Sequence, residues 1–106
     1  MPRIRPAAVA GMFYPADSAR LAADVDAMLA AAERGGSNSG APKAIIAPHA
    51  GYVYSGAVAA SAYARLRAVR NLIRRVVLLG PVHRVPVRGL ALPAADAFDT
   101  PLGRVA

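Results

Sequence analysis

Two short, uninterrupted apolar runs set the strongest limit on what this chain can fold into. Residues 43–47 read Lys-Ala-Ile-Ile-Ala and stop at Pro48; residues 75–79 read Arg-Val-Val-Leu-Leu and stop at Gly80-Pro81. Neither run alternates apolar with polar side chains. A strand with one face in water alternates, whereas a strand covered on both faces is apolar throughout, which is the habit of parallel sheets. Between the runs the spacing predicts a helix starting near Gly56, capped by Ser55, with Val58, Ala62, Leu66 and Val69 on its inner face. Strand, helix and strand in that order predict a right-handed βαβ unit. The chain is therefore expected to be an α/β protein.

The flanks extend this reading. Residues 1–16 form a lead-in with prolines at 2, 6 and 15, and Gly11-Met12-Phe13-Tyr14-Pro15 groups three large apolar side chains that should dock on a core. Residues 17–34 read as a helix capped by Asp17 or Ser18. Its apolar stripe is Leu21, Val25, Met28 and Leu29, and Asp24 and Asp26 lie off that stripe. Gly35-Gly36 should end it, and residues 35–40 read as a linker. A third short strand is expected over residues 89–93, then a strand end and turn over 97–103.

Length and composition bound the rest. With 106 residues the chain is at most one small domain. Its 56% hydrophobic content overstates the core, because Ala alone supplies 26 residues and buries little area. Without cysteine there is no disulfide and no Cys-based zinc site. No apolar run reaches the roughly 18 residues that span a bilayer, and the opening Met1-Pro2-Arg3-Ile4-Arg5 lacks a signal-type apolar stretch. A cytoplasmic location without membrane attachment is the expectation. The net charge is +7, with Arg exceeding Lys by 12 to 1. Charge alone fits too many proteins to indicate nucleic acid, and no aromatic interleaving or nucleic-acid motif accompanies it. Arg65, Arg67, Arg70 and Arg74 read as a solvated helix face.

Both histidines occupy matched positions, His49 just past the first run and His83 just past the second. Ligands of open parallel sheets bind at the carboxyl ends of the strands. Neighbouring strands lie about 4.8 Å apart, so imidazoles at two adjacent ends can reach one ion. Neutral imidazole is the commonest metal-binding side chain. Gly51 and Gly80 should let the backbone turn sharply there. Tyr52 and Tyr54 can send phenols toward the same mouth, as catalytic or packing groups. The helix start near Ser55 and Gly56 would favour an anionic ligand. Asp96 is a weaker candidate for a carboxylate ligand, and Asp99 reads as a turn group.

At Pro48-His49-Ala50-Gly51-Tyr52-Val53-Tyr54-Ser55-Gly56 the sequence resembles the Memo family, also described as the B component of AmmeMemoRadiSam systems. Pro6-Ala7-Ala8-Val9-Ala10-Gly11-Met12-Phe13-Tyr14-Pro15 resembles the family's opening segment. Leu78-Leu79-Gly80-Pro81-Val82-His83 resembles its second histidine motif. Ala91-Leu92-Pro93 through Thr100-Pro101-Leu102-Gly103 resembles the segment beyond. The resemblance covers essentially the whole chain, residues 1–106, read as the N-terminal part of a single Memo-like domain.

The resemblance implies a three-layer α/β/α sheet with βαβ units, akin to class III extradiol dioxygenases and incomplete here. It implies a metal-binding pocket with His49 and His83 as ligands of a divalent metal, iron or copper. Tyr52 and Tyr54 would orient substrate or carry a proton, and the ligand would be small and anionic or phenolic. The family's third ligand position, often a cysteine, lies much later in the sequence, so a C-terminal segment or partner chain is expected to be needed. Val82 stands where the family usually has Ser, which removes a hydroxyl beside the second histidine. The resemblance leaves three functions open: a non-heme metal-dependent oxidoreductase, a non-catalytic module binding a peptide or small ligand, and an inactive truncated fragment.

Overall fold

The computed structural model describes residues 1–35 and 40–106. Its elements in order are β1 (Ile4–Arg5), α1 (Ser18–Gly35), α2 (Tyr52–Tyr63), a 3-10 helix (Ala64–Val69), β2 (Ala97–Thr100) and β3 (Gly103–Val105). The fold is mixed α/β, with a helical pair and a three-stranded sheet.

Helix α1 forms where the periodicity places it. Asp17 caps it, its carboxylate accepting from the Arg20 backbone N–H at 2.8 Å. Leu21 is only 3% exposed. Val25, Met28 and Leu29 turn toward a cavity shared with α2, and Asp24 and Asp26 are exposed. The predicted linker over 35–40 lies mostly outside the described residues.

Helix α2 starts four residues before the predicted start, at Tyr52, with Gly51 as its N-cap. Ser55 is thus inside the first turn and caps nothing. Its hydroxyl donates to the Ala50 carbonyl at 3.0 Å. Of the predicted inner face, Ala62, Leu66 and Val69 are half-buried, and Val58 alone is turned out. Val58 is 64% exposed, while Ser55, Gly56 and Ala60 are buried. The helices meet through small residues: a Cβ added at Gly56 would stand 2.6 Å from Met28 Sδ. Close approach of α2 to α1 therefore selects the glycine–alanine face, and the bulkier Val58 is left to solvent.

The sheet is not the predicted one. Its order is β1-β2-β3, with β1 parallel to β2 (Ile4 opposite Ala97, Arg5 opposite Phe98) and β2 antiparallel to β3. The strand end and turn expected over 97–103 are present as the β2–β3 hairpin. Thr100 Oγ1 donates to the Gly103 carbonyl at 2.7 Å and accepts from the Leu102 N–H. Gly103 has φ +131°, a conformation that disfavours other residues.

Residues 43–47, 75–79 and 89–93 form no strand, so the expected βαβ unit is absent as a hydrogen-bonded structure. A strand is defined by a neighbour's N–H and C=O groups, and an apolar run without a paired neighbour has nothing to lock its backbone. Every residue from 70 to 94 is exposed. Among the described residues no strand packs directly on either helix, and no helix is long and apolar enough to cross a membrane.

Candidate functional site

The two histidines meet although the sheet meant to align them is not formed. His49 Nε2 and His83 Nε2 are 3.2 Å apart. Their ring centroids are 5.2 Å apart with planes inclined by 49°. At that separation one ring donates its Nε2–H to the other's lone pair, or both lone pairs face a common cation. Both rings are exposed.

His49 is positioned from the lead-in. Gly11, at φ +81°, turns the chain so that the Met12 and Phe13 N–H groups donate to the Val9 carbonyl. The Phe13 carbonyl then accepts from the Tyr52 N–H at 2.8 Å, tying the lead-in to the first turn of α2, three residues beyond His49. The rings of Tyr14 and Tyr52 pack at 5.6 Å and 42°. The apolar cluster over residues 11–15 thus docks as expected. Among the described residues no comparable frame holds His83, which sits in the wholly exposed segment.

Beside His49 lies a cavity of about 390 Å³ between α1, α2 and the lead-in. Phe13, Tyr14, Met28, Tyr52 and Tyr63 line it together with His49. The cavity separates the two tyrosines singled out in the sequence. Tyr52 lines it; Tyr54 does not and is 85% exposed. Burial raises the Tyr52 phenol above its ordinary value near 10, and the neighbouring phenols of Tyr14 and Tyr63 push the same way. Tyr52 is therefore a neutral hydrogen-bond donor at physiological pH. Sequence reading missed Tyr63 as a cavity residue. The signal was its spacing, since Tyr52, Gly56, Ala59 and Tyr63 repeat at helical intervals.

The two glycines have a lesser role than expected. Gly51 adopts φ −54° and ψ 150°, which other residues adopt, and an added Cβ there would make only ordinary contacts at 3.6 Å. Gly80 has open space around it. Asp96 is engaged elsewhere: its carboxylate accepts from the Arg3 N–H at 2.7 Å, and its own N–H donates to the Arg3 carbonyl at 2.7 Å. Among the described residues no group of three or more His, Cys, Asp or Glu side chains comes together to hold a metal.

The chain is similar to known proteins over nearly its whole length. The family model described as "Memo-like protein" matches residues 5–106. Protein MEMO1 of Danio rerio is 44% identical over 92% of this chain, and that of Homo sapiens 40% identical over 92%. A MEMO1 family protein of Aquifex aeolicus is 39% identical over 97%. The chain spans 31% of the length of the first two and 36% of the third, about a third of the relatives it matches. No solved structure matches. On the match over nearly all its residues, the chain belongs to the Memo-like family.

Proposed function

We propose that this chain supplies two ligands, His49 and His83, to a divalent-metal centre, iron or copper, of a dioxygenase-like oxidoreductase. The observation that carries this reading is the separation of the two Nε2 atoms. With metal–nitrogen bonds of about 2.0–2.1 Å, two nitrogens 3.2 Å apart subtend roughly 100° at a shared ion. That angle lies between the about 90° of an octahedral site and the about 109° of a tetrahedral one. Two imidazoles leave open positions, as a site that must also admit substrate and oxygen requires. The remaining ligands would come from outside these 106 residues. In the same reading, residues 43–47 and 75–79 are inner strands of a larger three-layer sheet of extradiol-dioxygenase type.

A bound divalent ion supplies Lewis acidity and a template for a substrate oxygen. The chain's own residues orient and exclude. Tyr52 stays a neutral phenol and donates a hydrogen bond to a ligand in the cavity, or carries a proton between it and solvent. The apolar lining keeps water from the inner side of His49. Tyr54 serves only the open face. A non-catalytic binding module is the second reading, favoured by a lining that offers few groups able to move a proton.

The test is anaerobic titration of the chain with Fe(II) and with Cu(II), followed by calorimetry and histidine NMR. His49→Ala and His83→Ala should each weaken binding by more than roughly tenfold, since loss of even an outer partner commonly costs that much. Binding unchanged in both variants would refute a shared site. With the remaining ligands supplied by the longer protein, tight binding without oxygen consumption in the presence of a phenolic substrate would favour the module.

A further inference from the structure

Two serines on α2 use their hydroxyls differently. Ser61 donates to the Ala57 carbonyl four residues back, at 3.2 Å, the usual return of a helical serine to its own helix. Ser55 reaches one residue further and donates to the Ala50 carbonyl at 3.0 Å. That carbonyl lies outside α2, whose own backbone bonding begins at Gly51. There the Gly51 carbonyl accepts from the Tyr54 and Ser55 N–H groups at 2.9 and 3.1 Å. Ser55 is also the one buried polar side chain among the described residues, while Ser61 is exposed. A buried hydroxyl left without a partner is costly, so the acceptor that Ser55 finds fixes its direction.

Ala50 directly follows His49, so this bond fastens the loop that carries the imidazole to the first turn of α2. The Phe13 carbonyl holds the next stretch by accepting from the Tyr52 N–H at 2.8 Å, and Pro48 restricts the backbone on the other side. With His83 in the wholly exposed segment, the 3.2 Å approach of the two Nε2 atoms is kept from the His49 side. We propose that Ser55 is a positioning residue, its hydroxyl holding the Ala50 carbonyl so that the His49 ring stays beside that of His83. This rests on the metal reading above for its functional meaning. A loop released from α2 presents the paired imidazoles only part of the time, and the apparent affinity for a shared ion falls by that fraction.

The test uses the whole 106-residue chain in chelator. Its readout is the nuclear Overhauser contact between the two imidazole rings, whose centroids are 5.2 Å apart. Ser55→Ala should lose this contact, although alanine is the better helix former and leaves α2 intact. Ser61→Ala removes a hydroxyl bonded within the helix and should keep the contact, as should Ser55→Thr, which retains the hydroxyl. Ser55→Cys, similar in size but a weak donor, repeats the comparison if the alanine variant loses its helical circular-dichroism signal. In anaerobic Fe(II) titration Ser55→Ala should bind roughly fivefold more weakly, the worth of one neutral hydrogen bond, with Ser61→Ala unchanged. A ring contact kept in Ser55→Ala, lost equally in Ser61→Ala, or missing from the wild type would overturn the proposal. The expected pattern of ring contacts in a chain that takes up no Fe(II) would support the role of Ser55 and overturn the metal reading alone.

Discussion

Tyr52 and Asp99 show how single side chains tie this structure to pH. The raised Tyr52 pKa means that the folded chain holds a proton the unfolded chain would release. Stability is therefore unaffected below about pH 10 and falls as pH rises from that unfolded value through the folded one. Thermal melts above pH 9 should show this loss, and Tyr52→Phe should lack it. Asp99 runs the other way. Its hydrogen bond to Arg104, at 2.7 Å, holds its carboxyl below the ordinary carboxylate range. The β2–β3 hairpin should keep this support above the unfolded carboxyl value and lose it as pH falls through the folded one. Amide protection at Arg104 and Val105, measured against the intrinsic exchange rate at each pH, should fall at low pH in the wild type, and already at neutral pH in Asp99→Asn. At this scale the sequence was informative where two residues shared a context. His49 and His83 follow similar apolar runs, and their rings meet. Tyr52 and Tyr54 are not distinguished by the sequence, because residues two apart face different ways only once they lie on a helix, and the pattern places both ahead of the helix start.

Among the elements, α1 was legible and α2 only in part, for identifiable reasons. Asp17 followed by Leu21, Val25, Met28 and Leu29 provides a cap and an uninterrupted stripe. The beginning of α2 reads Tyr-Val-Tyr, aromatic and β-branched residues with modest helix propensity, so the pattern suggested a later start. Contact with Phe13 and Tyr14 overrides that preference. Leu21→Ala should destabilise the helical pair by about 2–3 kcal/mol, the lower part of the range for buried leucines because α1 has an open side; urea unfolding followed by circular dichroism measures it. Gly56→Leu should cost about 1–3 kcal/mol by forcing α2 away from Met28. Combining it with Met28→Ala should recover part of that cost, which a double-mutant cycle would resolve.

The whole molecule is loosely filled. Its radius of gyration is 15.1 Å, against about 13 Å for a compact domain of this length. Its accessible surface is 8968 Å², against roughly 5,600 Å² for a monomer of this mass. The excess is concentrated in residues 70–94, where Val76, Val77, Leu78 and Leu79 are all exposed. The apolar runs, expected to be buried strands, form no sheet because their pattern describes burial on two faces, and within the described residues neither face is covered. Such a stretch invites self-association. Val77→Lys with Leu79→Lys should raise the concentration at which the chain precipitates, without changing its helical signal; light scattering and circular dichroism on the same samples would check both.

The reciprocal pair of hydrogen bonds between Arg3 and Asp96 makes the first residues a latch for the last. β1 is only two residues long and borders β2 near the far end of the chain, so it has little grip without that clasp. A fusion tag placed directly ahead of Ile4, or a protease nick there, would be felt as fraying of a hairpin more than ninety positions away in the sequence.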